Sequence, residues 1–119
     1  MIILPRAISN HTLAADEIKS DYKSARTFGQ GLLGESALFI KSINGFRTRY
    51  IPINSIDRVF KRLAVTKGFY NGGIFGTLSY LVVVYNGGTE KAFRFRLEDD
   101  VDNLLNEFRF RTDVPVGKK

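Results

Sequence analysis

Alternation of apolar and polar residues recurs along the chain in short runs, and turn chemistry separates the runs. Asn44-Gly45, Asn71-Gly72-Gly73 and Asn86-Gly87-Gly88 are the strongest turn signals, because Asn and Gly accept the positive φ that tight hairpins need. Beside them lie strand-like segments. Ser36 to Ser42 runs out and Phe46 to Ile53 returns; Leu78 to Tyr85 runs out and Lys91 to Leu97 returns. Ser55 to Val65 reads as a further strand between the two pairs, and Pro52 belongs near a strand end, an edge or a bulge. In KAFRFRL, period two puts Phe93, Phe95 and Leu97 on one face and Arg94 and Arg96 on the other. That is the pattern of an antiparallel sheet with one wet side.

The period then changes. Val101, Leu104, Leu105 and Phe108 stand at i, i+3, i+4 and i+7, the stripe of an amphipathic helix, predicted over Asp99 to Arg109. Glu98, Asp99 and Asp100 stand where carboxylates cap free N–H groups and meet the positive dipole end; Arg109 and Arg111 stand at the other end. The tetrapeptide FRFR occurs twice, at 93–96 and 108–111, and the second copy falls on this helix. Continued helix would send Phe110 to water, so the expectation is that the helix frays near Arg109 and Phe110 packs from a non-helical turn. Toward the N-terminus, Leu13 to Ser20 reads as a short helix with Thr12 as cap, and Tyr22 to Phe28 as a first strand before a GQGLLG loop.

A chain of 119 residues has room for one domain and one modest core. The expected organisation is a single domain over 1–119, with 1–12 and 112–119 as mobile ends. With no Cys, disulfides and thiolate metal sites are excluded, which fits a reducing, cytoplasmic setting. No apolar run approaches the roughly 18 residues of a membrane-spanning helix, and MIILPRAISN lacks a signal peptide's apolar core.

Charge changes the picture. The net charge of +6 is unevenly placed: residues 1–35 carry four basic and four acidic groups, 36–97 carry ten and two, and 98–119 carry four and six. The basic middle suits an anionic partner, an acidic protein segment or an anionic membrane face, with nucleic acid as the alternative. The plain alternative is a solvated, soluble surface.

Little else suggests chemistry. The single His, His11, has no partner brought to it by any motif. The acidic run at 98–102 lacks the spacing of a calcium loop, and Gly68, Gly72, Gly73 and Gly76 form neither GxGxxG nor a Walker A loop. No cofactor and no metal is expected, and the chain reads as non-enzymatic. Arg58, Lys61, Arg62 and Lys67 form a second basic group, but alternation splits Lys61 from Arg58 and Arg62. GGIFG, with Ile74 and Phe75, reads as core packing or as an apolar tip for a membrane. Phe and Tyr beside Arg would suit nucleic acid, except that alternation turns Phe93 and Phe95 away from the wet face.

The segments LFIKSINGFRTRY, IPINSIDRV, GGIFGTLSYLVVV, KAFRFRL and DDVDNLLNEF, in this order within about residues 36–110, resemble the small bacterial members of the pleckstrin-homology-like (PH-like) superfold. The resemblance implies a mainly β fold: a bent antiparallel sheet, or partly open barrel, capped by the C-terminal amphipathic helix. The other folds that fit are another small barrel or an α+β roll with one packed helix. The resemblance also implies a binding or adaptor module. Lys41, Arg47 and Arg49, across the Ser-Ile-Asn-Gly turn, look like the Lys and Arg-x-Arg with which some PH domains hold inositol phosphates. The alternative is three solvated side chains on a hairpin. The candidate anion-binding residues are therefore Lys41, Arg47, Arg49, Arg94 and Arg96.

Overall fold

A computed structural model gives the fold, describing residues 6–8, 12–42, 47–67 and 74–117, with the backbone alone for 6, 65–67 and 74–77. His11, Phe46 and the turns at Asn44-Gly45 and Asn71-Gly72-Gly73 lie outside the described residues. The element order is β1 (Arg6–Ala7), α1 (Ala15–Ser24), β2 (Arg26–Phe28), β3 (Gly31–Leu33), β4 (Ala37–Lys41), β5 (Thr48–Pro52), a 3-10 turn at Ile53–Ser55, β6 (Ile56–Lys67), β7 (Ile74–Tyr85), β8 (Thr89–Phe95) and α2 (Glu98–Arg111). The chain is mainly β with a C-terminal helix. One sheet has the order β1-β5-β4-β3-β2, antiparallel except for the two-residue β1, and the other has the order β6-β7-β8. The two sheets are not joined into a closed barrel.

Period two decides the faces, as the alternation predicts, except at Leu97, which lies past the end of β8 at the cap position of α2 and is exposed rather than in the core. Leu38, Ile40, Ile51, Leu81, Val83, Phe93 and Phe95 turn into one shared core. Val101, Leu104, Leu105 and Phe108 of α2 close that core from the open side, all buried. The approach is tight: a Cβ on Gly31 would sit 2.8 Å from Leu104 and 3.0 Å from Phe95. Pro52 is the last residue of β5, where its missing N–H costs no ladder bond. At the β7–β8 hairpin, Asn86 takes φ 52° and Gly87 φ 79°, as the turn signal requires.

Several expectations are corrected. The segment from Tyr22 does not begin a strand: α1 runs to Ser24 and β2 begins at Arg26. Ile18, Asp21 and Tyr22 stand at i, i+3 and i+4, so one helix face reaches the outer side of the first sheet. There Ile18 is buried with Leu32, Phe39 and Tyr50, and the Tyr22 and Phe39 rings are 5.1 Å apart. Thr12 is not the cap; the cap position is Ala14, with no side-chain bond. GQGLLG is not a loop, since Gly31–Leu33 forms β3 between β2 and β4. α2 does not fray at Arg109. Arg111 reaches Glu107 at 3.3 Å and the Leu33 carbonyl at 3.4 Å, and Thr112 donates to the Phe108 carbonyl. Phe110 therefore stays helical and points to water, 86% exposed.

Neither end is wholly loose. Residue 8 donates its N–H to the Tyr50 carbonyl at 2.9 Å, beside the β1–β5 pairing. Val116 bridges Val59: the Val59 N–H reaches the Pro115 carbonyl and Gly117 returns to Val59. Val114 and Val116 pack on the core, which gives an apolar reason for the tail to dock.

The one buried carboxylate among the described residues organises the N-terminal half. Asp21 accepts N–H bonds from Glu35 at 2.7 Å, Ser36 at 3.1 Å and Ala37 at 2.9 Å. Gly34 lies so close beneath it that any Cβ would overlap the carboxyl group. Bonds to a carboxylate are among the stronger ones, and three donors would be stranded by its loss. Asp21→Ala is expected to cost about 3 kcal/mol in urea unfolding, and Gly34→Ala a comparable amount by displacing the carboxylate. Phe110→Ser, in contrast, should leave the same unfolding curve within about 0.5 kcal/mol.

Candidate functional site

The site begins with a charge inventory. On α2, Glu98 and Asp102 hold Lys61 at 2.7 and 2.8 Å, and Glu107 holds Arg26 and Arg111. No carboxylate caps α2: the cap position is Leu97, without a side-chain bond, so the acidic run serves the helix dipole and Lys61 instead. Arg62 pairs with Glu90 at 2.7 Å, Arg58 donates to the Gly117 carbonyl, and Arg109 to Asn106. The second basic group is thus consumed by internal partners as far as its side chains are described. Hydrogen bonds to Asp102 and then Glu98 raise the Lys61 pKa. The stability this contributes is present below the ordinary lysine range and fades as pH rises through the raised value. The pair is partly exposed, so its worth is about 1 kcal/mol or less.

What remains is unpaired. Of the described cations from 26 to 111, the side chains of Lys41, Arg47, Arg49, Lys91, Arg94 and Arg96 have no carboxylate or carbonyl partner. Five of these are the residues that sequence reasoning singled out. Gln30, in the turn between β2 and β3, draws together the backbones of Lys41, Arg94 and Arg96. Its side-chain amide donates to the Arg94 carbonyl at 2.9 Å and accepts from the Arg96 N–H at 2.7 Å. Its own carbonyl accepts the Lys41 N–H at 2.7 Å. One amide side chain thus stands in for a neighbouring strand at the free edge of β8. The β4–β5 hairpin continues the group, since Ser42 and Arg47 exchange bonds of 2.7 and 3.2 Å.

No protein-family model, no curated protein and no solved structure matches this chain. The site is described by its own geometry.

The side chains divide by face. Arg49 shares the side of β5 that carries Ile51, and alternation brings Arg47 to the same side. Lys91 shares the side of β8 that carries Phe93 and Phe95, with its ammonium 5.9 Å from the Phe93 ring centre. Arg47, Arg49 and Lys91 therefore form a rim where two sheets run out from the common core. Lys41 is on the opposite side of β4, in line with Phe39, and Arg94 and Arg96 are on the opposite side of β8. The five predicted residues are neighbours along the chain fold, but they do not form one patch.

Lys91 is the residue that sequence reasoning missed. Desolvation lowers its pKa first, and the positive charge of Arg49 lowers it further. A signal was present: Lys91 begins the alternation Lys91, Phe93, Phe95, which places it on the core side of β8. For a base with a lowered folded pKa, protonation costs stability. Stability therefore falls as pH drops through the window between the unfolded and folded values. Side-chain NMR titration should find Lys91 below the ordinary lysine range, and Arg49→Gln should move it part of the way back, since Arg49 is the smaller cause. An unmoved midpoint would separate the two cations.

Two shallow grooves lie elsewhere. One of about 500 Å³ follows α2 along Lys61, Asp102 and Arg109, and another of about 320 Å³ lies beside Glu35, Arg111 and Asp113. Neither is lined by the rim cations.

Proposed function

We propose that this chain is a non-catalytic, PH-like binding module that docks its basic rim on an anionic surface, an acidic protein segment or the anionic face of a membrane in the cytoplasm. Four antiparallel strands, three more, and one closing amphipathic helix support the PH-like part of this reading. The observation that carries the binding part is the set of cations without a carboxylate partner, in which the positive charge of Arg49 adds to the desolvation that lowers the Lys91 pKa. A protein that leaves like charges together loses stability, and an arriving anion recovers it. Lys61, Arg26 and Arg111 are paired with α2 carboxylates, so the segregation is local rather than a general excess of lysine and arginine.

Arg47 and Arg49 are exposed, which favours a broad partner over a small enclosed ligand. Among the described residues the rim sets cations together with no carboxylate or imidazole beside them, which suits binding rather than acid–base chemistry. No helix among the described residues is long and apolar enough to cross a membrane. Contact with a membrane would be peripheral, through the rim.

Sedimentation with vesicles of anionic or neutral lipid, alongside pull-down by a polyglutamate peptide, tests the reading. Retention is expected on an anionic partner at low salt, with loss as salt rises. Paired Arg47→Glu and Arg49→Glu should reduce it at least about tenfold, as expected when like charges are set against a partner. Equal retention on neutral vesicles and no peptide binding would sink the proposal, as would indifference to the charge reversal.

A further inference from the structure

The outer side of the β6-β7-β8 sheet presents a different chemistry from the rim. Odd-numbered residues of β7 and β8 face the core, so even-numbered ones face outward. The register sets Arg62, Tyr80 and Arg94 side by side across the three strands. Directly opposed side chains on one face stand about 5 Å apart at Cβ. The next row is Phe60, Val82 and Ala92, with Phe60 and Val82 buried as the floor. The Arg62 guanidinium lies over the Phe60 ring at 5.7 Å. Arg94, Arg96 and Ala92 are exposed, and Tyr80 is half-buried. Among the described residues no helix or strand packs on this face: α1 covers β4, and α2 lies on the core side.

We propose that this face is a stacking platform for single-stranded nucleic acid. Tyr80 would receive a base, Arg94 would hold a flanking phosphate and Arg96 would extend the cationic track, while Arg62, paired with Glu90 at 2.7 Å, flanks the ring on the other side. The face is separate from the rim, and the proposal stands independently of the reading above. Two observations favour nucleic acid over an acidic peptide. A carboxylate would use the arginines but gain nothing from the ring between them, whereas a nucleotide uses both at one spacing. Guanidinium groups also suit phosphate in geometry and stack on π faces themselves. The Gln30 clamp on the Arg94 carbonyl and Arg96 N–H fixes this stretch of backbone, so the track is held in place before a ligand arrives. Phe93 and Phe95, the aromatics nearest these arginines in sequence, are buried. The ring on the correct face comes from the neighbouring strand, which only the register reveals.

Fluorescence anisotropy with a labelled oligo-dT of about twelve nucleotides, and a blunt duplex of equal length as control, tests this. The single strand should bind better than the duplex. Tyr80→Ala should weaken binding about 5- to 150-fold, the range of one base-stacking contact. Tyr80→Phe should retain it, because the ring remains. Arg94→Gln should lower the slope of log K against log salt by about 0.7, one phosphate contact on a single strand. Should Tyr80→Ala fail to fold by circular dichroism, Tyr80→Leu keeps the bulk without the ring and should show the loss. Three results would overturn the proposal: no binding at low salt, duplex bound as well as single strand, or full binding by a folded variant without the ring. Polyglutamate binding that depends on Tyr80, without oligo-dT binding, would assign the face to acidic peptides instead.

Discussion

Everything in this fold depends on one helix stripe meeting two sheets at once. Among the described residues no strand of one sheet pairs with a strand of the other, so apart from the Gln30 bonds to Arg94 and Arg96 the sheets are held by their shared core. Val101, Leu104, Leu105 and Phe108 complete that core, and full burial of each is worth about 1.5–3 kcal/mol. Four such residues together are comparable with the whole net stability of a domain this size, about 5–15 kcal/mol. The helix is thus a structural necessity, and Gly31 shows the tolerance: there is no room for a methyl group between β3 and the stripe.

That requirement also sorts the charges. The carboxylates that flank the stripe, Glu98, Asp102 and Glu107, sit beside Lys61, Arg26 and Arg111, and neutralise them where helix meets sheet. Acidic groups are otherwise scarce in the basic middle of the chain. Only Asp57 and Glu90 occur between residues 36 and 97, and both are committed, to the Gly87 N–H and to Arg62. Lys41, Arg47, Arg49, Lys91, Arg94 and Arg96 are left without a carboxylate partner. The rim follows from where the lid helix ends its influence, with a repulsion between Arg49 and Lys91 that a bound anion would relieve.

Periodicity made much of this legible. The faces of β4, β5, β7 and β8, the α2 stripe and the two sets of exposed arginines all follow from counting by 2 or by 3.6. The features that escaped are of another kind. Asp21 bonds to residues 14 to 16 positions away, and Gln30 to residues 64 and 66 away. A single polar side chain satisfying distant backbone groups leaves no period in the sequence. The end of α1 escapes for a related reason: Tyr22, Thr27 and Phe28 in one short segment resemble a strand, and only the partners Phe39 and Tyr50 show that Tyr22 continues a helix. In the tail, Pro, Gly and Lys outweigh Val114 and Val116 by composition, yet the two valines find the core.

The repeated FRFR shows how far sequence composition can be taken. In the first copy, period two buries Phe93 and Phe95 and exposes Arg94 and Arg96. In the second, Phe108 closes the lid while Phe110 stands in water, because Arg111 and Thr112 hold the last helical turn. Neither copy pairs a phenylalanine with an arginine on a wet face. That pairing arises across strands instead, where the register sets Tyr80 between Arg62 and Arg94. A surface of mixed aromatic and cationic character is therefore a property of the sheet and not of any stretch of chain. It requires the alignment of three strands, and that alignment in turn requires the helix that closes their other side.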